Sequence, residues 1–308
     1  MRCFTNFSMT KFFIVFLSVV LISACGGGGG GDTGGGTDTG GGSGSDVPDQ
    51  QVDFSTQSDA EITNTAQFVF DVGAQTHAIP AKGTVTNGQP VAGVCNNVGG
   101  TYDIPVILDP GYGNYVFVNC EFVPGLFLDG DLVKAVSNIA NFDTQYSYNA
   151  FSIDDGTSKL TVTGDLYEAS STVGGFEIGS ISNNGGILQV GIVSTQYTDT
   201  LQLVNFSESH SDDLNNNVLS YDFSYTVNSV KLGGSVTVNT STTIEHNYNL
   251  DPYPYAGVYE VTGLGGGNVR VTVLGSGQPN GLVRVDIDKD GDSIYETSNT
   301  ITWSVFTA

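Results

Sequence analysis

The sequence predicts an all-β protein built of antiparallel sheets, and three observations carry that expectation. The composition disfavours helices: of 308 residues 42 are glycine and only 13% are charged, and glycine is among the worst residues for a helix interior. Apolar and polar residues alternate with period two over long stretches. Turn dipeptides, Asn87-Gly88, Asp155-Gly156, Asn184-Gly185 and Asn280-Gly281, punctuate those stretches and are hairpin signals. Roughly fourteen strands follow from this pattern, arranged as an elongated β-sandwich or as stacked hairpin modules. No significant helix is expected beyond the N-terminal segment.

The clearest alternation runs from Ser220 to Asn228, where Tyr221, Phe223, Tyr225 and Val227 share one face and the other face is polar. That is a half-buried antiparallel strand. In chain order, similar stretches are 66–72, 115–122, 159–167, 187–193, 200–206, 269–274, 282–287 and 300–306. A glycine followed by a small polar and an apolar residue recurs at Gly83, Gly130, Gly164 and Gly234. The spacing is irregular, which argues against a strict solenoid and for glycines placed where strands bend. Residues 51–308 thus form the β-rich region, with a candidate division into two sub-domains near 170–185.

The first 25 residues read differently. Arg2 and Lys11 precede an apolar run from Phe12 to Ile22, too short for a spanning helix, which takes about 20 residues. The run ends in Leu21-Ile22-Ser23-Ala24-Cys25. This resembles the lipobox of bacterial lipoproteins, which implies cleavage before Cys25 and lipidation of that cysteine. In Gram-negative lipoproteins an aspartate next to the cysteine favours retention at the inner membrane; here Gly26 follows, so the resemblance implies an outer-membrane anchor. Residues 26–50 are rich in glycine and can bury no apolar surface, so they read as a disordered tether.

Four cysteines occur. Cys3 leaves with the signal and Cys25 carries lipid, so Cys95 and Cys120 remain together in an oxidising compartment, which favours a structural disulfide. Cys95-Asn96-Asn97-Val98-Gly99-Gly100, then Asn119-Cys120, then Leu128-Asp129-Gly130-Asp131-Leu132 resemble, in that order, a pattern in β-rich exported bacterial lipoproteins. The resemblance spans about residues 92–136 and implies a β-rich exported domain without implying a chemistry.

Acidic residues number 32 against 9 basic, a net charge of −23. Nucleic acid and anionic lipid surfaces need a basic patch and are not expected as partners. Most of this charge reads as a hydrated surface. One segment stands apart: Asp286-Ile287-Asp288-Lys289-Asp290-Gly291-Asp292-Ser293-Ile294-Tyr295-Glu296. Calcium takes 6–8 oxygen ligands, and a tight turn can converge alternate carboxylates on one point. Read from Asp288, positions one, three, five and nine are Asp288, Asp290, Asp292 and Glu296, with the Ile294 carbonyl at seven. That spacing resembles calcium loops set in β-hairpins. Read from Asp286 as an EF-hand, Gly291 falls correctly at six, but position twelve is Thr297 and the flanks read as strands. Asp286 belongs to the candidate ligands in this second register only.

Other segments carry less. Ser207-Glu208-Ser209-His210-Ser211-Asp212-Asp213 holds the letters of a hydrolase triad but reads as a polar loop. Tyr253 and Tyr255 among prolines read as loop packing, with a sugar-stacking platform as the alternative. Trp303 reads as core on the last strand. The expected function is therefore a non-catalytic, lipid-anchored envelope protein with a calcium-steadied β domain, its role structural, adhesive or in assembly. The alternatives are a carbohydrate- or peptide-binding module and an exported hydrolase.

Overall fold

The computed structural model describes residues 50–83, 101–103, 112–123, 125–154, 156, 158–194 and 198–307. Cys25, Cys95, the tether up to residue 49 and Asn87-Gly88 lie outside the described residues. Among the described residues fourteen strands form one antiparallel sheet, so the all-β expectation holds. In chain order they are β1 (Thr101–Asp103), β2 (Gly113–Val123), β3 (Leu126–Val136), β4 (Thr144–Asp154), β5 (Ser158–Val173), β6 (Phe176–Ser182), β7 (Ile187–Ser194) and β8 (Thr198–Asp213). Then follow β9 (Val218–Ser229), β10 (Gly234–Asn247), β11 (Ala256–Thr262), β12 (Asn268–Leu274), β13 (Leu282–Asp288) and β14 (Thr297–Thr302). Each strand pairs with its sequence neighbour except around β6 and β7, so the sheet is a continuous meander rather than two sandwich layers or separate modules. Residues 170–185 run from the end of β5 through β6 to the interruption after it, all in that sheet region.

β6 and β7 do not pair with each other. Both run antiparallel to β5 and to β8, so they are one strand interrupted at residues 183–186. Asn184 and Gly185 take positive φ there, 48° and 77°. The Asn-Gly pair expected to close a hairpin instead offsets a strand. Gly130 meets its expectation: its φ is +94°, and a Cβ there would collide with the Ala150 carbonyl, where the β3–β4 register shifts.

The sheet is curled. Thirteen neighbouring strand positions at about 4.8 Å spacing would span about 60 Å if flat. Yet inward residues from Phe117 on β2 to Ile287 on β13 are buried in one hydrophobic cluster. A helix about 10 Å wide covers only two or three strands, so the rest must be covered by the sheet itself.

The helix packed on the inner face of β9 and β11–β13 is α1 (Asp59–Gly83), and it corrects two expectations: that no significant helix follows the signal, and that 66–72 is a strand. Every residue from Thr65 to Phe70 is buried, Gln67 included, so the segment has no polar stripe to betray a 3.6-residue period. Tyr225 of β9 donates its hydroxyl to the Val69 carbonyl, and Tyr259 of β11 donates to the Ala66 carbonyl at 3.0 Å. Phe70 stacks on Tyr259 with ring centroids 5.1 Å apart. Fully burying one such aromatic contributes about 1.5–3 kcal/mol. The helix begins at a capping box: Ser58 N–H donates to Glu61 Oε2 at 2.8 Å, and Glu61 N–H to Ser58 Oγ at 3.3 Å. Ser-x-x-Glu was the available sequence signal.

The final strand also ends earlier than 306. After Thr302 the chain turns into the short helix α2 (Trp303–Phe306), whose Trp303 is fully buried and stacks on Tyr253 at 5.2 Å. Tyr253 is therefore spent in packing. No helix of the described residues is long and apolar enough to cross a membrane.

Candidate metal centre

The β13–β14 turn converges the expected acids. One ligand oxygen from each of Asp288, Asp290, Asp292 and Glu296 lies within 4.8 Å of the others. Calcium–oxygen distances of about 2.3–2.6 Å put oxygens on opposite sides of one ion up to about 5 Å apart, so the spread fits a single hard cation. Asp288 is buried and the other three are exposed.

The backbone explains the convergence. Asp288 Oδ1 and Oδ2 accept from the N–H groups of Gly291 and Ser293 at 2.8 and 2.9 Å. Asp290 Oδ1 accepts from Asp292 N–H at 3.1 Å, and Asp292 Oδ1 from Ile294 N–H at 2.7 Å. Glu296 Oε2 accepts from Lys289 N–H at 2.9 Å, closing the turn. Gly291 sits at φ +78°, and a Cβ there would come within 2.5 Å of the Gly265 carbonyl oxygen. Only glycine tolerates that conformation against that neighbour.

One sequence expectation about this loop changes. Asp286 is not one of the converging group; it sits on β13, where Arg284 Nε donates to Oδ2 at 2.9 Å and Ser298 Oγ to Oδ1 at 2.5 Å. Its placement favours the hairpin register over the EF-hand one. Lys289, the one local cation, turns away from the acids. Its Nζ lies 2.7 Å from Asp59 Oδ1 and donates to the Gln57 carbonyl at 3.0 Å. The hydrogen bonds from Lys289 and Thr297 hold the Asp59 carboxyl below its ordinary range. The turn is thereby tied to the start of α1.

The 207–213 segment is strand β8, not a loop. Alternation puts Glu208, His210 and Asp212 on the inner face and Ser207, Ser209 and Ser211 on the outer one, so no serine of this run approaches His210 as a nucleophile would. His210 Nδ1 lies 3.1 Å from Glu208 Oε1. Cross-strand register aligns Glu168, Ile181 and Glu208 in one row, Ser170, Gly179 and His210 in the next, and Thr172, Glu177 and Asp212 in a third. A Cβ on Gly179 would fall 2.5 Å from His210 Nε2, so the glycine makes room for the imidazole. Burial alone would lower the His210 pKa, but the Glu208 hydrogen bond and nearby Glu177 and Glu168 outweigh it and raise it. Tyr146 donates to Glu168 at 2.5 Å and Tyr248 to Asp212 at 3.2 Å. Sequence reasoning missed this row as a unit, because strand pairing assembles it.

One further acid, half-buried, lies on α1. Burial pushes the Asp71 carboxyl up to about 7, against the opposing hydrogen bond from Gln67. Cys120 is fully buried on β2. No family model, curated protein or solved structure matches this chain.

Proposed function

We infer that this chain is a non-catalytic, lipid-anchored envelope protein whose β domain is steadied by a calcium ion held in the β13–β14 turn. The observation that carries the reading is the convergence of Asp288, Asp290, Asp292 and Glu296 within 4.8 Å. Four carboxylates so close repel one another strongly without a cation. A divalent ion would draw them together and, through Lys289 and Asp59, fix the turn against the start of α1. The lipobox-like Leu21 to Cys25 segment supports the anchor, with Gly26 directing it to the outer membrane. Cys95 and Cys120 complete the reading as a disulfide bracing the β1–β3 region.

Thermal melting tests the calcium reading. A ligand at a hundredfold excess over Kd stabilises the folded state by about 2.7 kcal/mol. Chelator should lower Tm, millimolar calcium should restore it, and Asp290→Ala should remove the response. A wild-type Tm indifferent to both additions would leave only an acidic turn. Mass spectrometry of the mature N-terminus should find an acylated Cys25. Release of Cys25→Ser from membranes would agree with that, and unchanged membrane association would contradict it.

A further inference from the structure

We propose that the outer edge of β14 pairs with the same edge of a second copy of this chain, antiparallel and about a two-fold axis centred on Asn299. Among the described strands β14 pairs with β13 alone. Edges of this kind are usually blunted by bulges, Pro, Lys or inward charges. β14 has none of these. Register shifts interrupt the ladders of β2–β3, β3–β4, β4–β5, β8–β9, β9–β10 and β10–β11. The β11–β12, β12–β13 and β13–β14 ladders run without one. The regular part of the sheet therefore ends in an edge free of register shifts, Thr297-Ser298-Asn299-Thr300-Ile301-Thr302, with no charged residue. Ser298, Asn299 and Thr300 are exposed. The chain beyond turns away: Trp303 N–H donates to the Gly281 carbonyl and Ser304 N–H to the Pro279 carbonyl, both at 2.9 Å.

Three features select a second copy as the occupant. The first is parity. A two-fold axis along the sheet normal keeps inner faces together when it is centred on a residue, and Asn299 lies at the middle of the edge strand. Ser298 then faces Thr300 of the other copy, a hydroxyl pair of the kind that supports cross-strand contacts. The second is apolar. Ile294 and Val305 are 66% and 60% exposed and lie five and six residues to either side of Asn299. The two-fold carries Ile294 of one copy to the end of the strand where Val305 of the other stands. The third is charge. In a chain of net charge −23, the face beside this edge is balanced, because Arg270 pairs with Glu260 and Arg284 with Asp286, each at 2.9 Å. The acidic turns fall at opposite ends of the paired strands, about 20 Å apart at 3.4 Å per residue, well beyond a Debye length of about 8 Å.

The test is the oligomeric state of the full chain in detergent up to about 100 µM, with an Asn299→Cys cross-link as the specific readout. Directly opposed Cα atoms in an antiparallel pair lie about 4.5–5.5 Å apart, within disulfide reach. Asn299→Cys should form a covalent dimer on mild oxidation, whereas a cysteine at exposed Ser55 should not. Thr300→Lys should weaken association at least tenfold, and Val305→Lys should weaken it less. A monomer throughout the range, a dimer unmoved by Thr300→Lys, or equal cross-linking from both cysteines would each overturn the pairing.

Discussion

Where β13 passes into β14, four acidic side chains crowd into one turn, exposed but for Asp288. Midway along the curled sheet, Glu168, Glu177, Glu208 and Asp212 lie on β5, β6 and β8 and face inward. The first group is drawn together by a backbone that reverses within a few residues. The second is spaced by the sheet, and its members have protein partners: Tyr146 for Glu168, Ser170 for Glu177, His210 for Glu208 and Tyr248 for Asp212. Like residues therefore serve different ends. Convergence in a turn leaves carboxylates wanting a cation, while distribution over strands lets neighbouring side chains neutralise or hydrogen-bond each one.

The inner row should be the more costly to disturb. Breaking a buried charge pair by removing one member typically costs about 3–5 kcal/mol, and His210→Ala should approach that in a denaturant melt. His210 titrates above its ordinary value in the fold, so its contribution is complete below about pH 6.5, the unfolded value, and fades as pH rises through the folded one. The penalty of His210→Ala should thus be larger at pH 6 than at pH 9. An equal penalty at both would show that the imidazole acts by packing alone.

Asp71 gives the next largest effect. Its folded value, about 7, lies above the unfolded one, so the native state binds the proton more tightly. Stability from this group falls as pH rises from about 4 to about 7 and is flat beyond. Asp71→Asn should therefore stabilise the protein by about 2 kcal/mol at pH 8, a figure reduced because the side chain keeps partial access to water, and by nothing near pH 4. Paired melts at the two pH values check this.

At the turn, effects on the fold should be smaller. Gly291→Ala forces a side chain into left-handed backbone at a cost of about 1–2 kcal/mol, with the Gly265 contact adding to it. Lys289→Met removes a solvent-accessible ion pair with Asp59 and should cost under about 1 kcal/mol. Its sharper readout is hydrogen exchange, which should quicken over the first turn of α1 and leave β9 unchanged.

Much of this was legible in the chain. The strand faces follow from alternation, as with Tyr221, Phe223, Tyr225 and Val227, because one side of the sheet is buried and the other wet. The four converging acids were legible too, since a turn is a local event and its spacing is written in consecutive residues. α1 was not, because its segment from Thr65 to Phe70 is buried on every side and shows no polar face. Ala66 to Val72 then mimics a strand, and only Ser58 and Glu61 mark the start. The inner row was hidden for another reason. Glu208, His210 and Asp212 alternate visibly along β8, but Glu168 and Glu177 reach them only through strand pairing, which no local pattern encodes.

The central claim is that the β13–β14 turn binds one calcium ion through Asp288, Asp290, Asp292 and Glu296. Calorimetric titration of the full chain with calcium measures this directly. The account predicts one saturable site per chain, lost in Asp290→Ala and weakened more by Glu296→Gln than by Asp286→Asn, because Asp286 is held by Arg284 and Ser298 instead. No saturable binding, or Asp286→Asn weakening it more than Glu296→Gln, would contradict it.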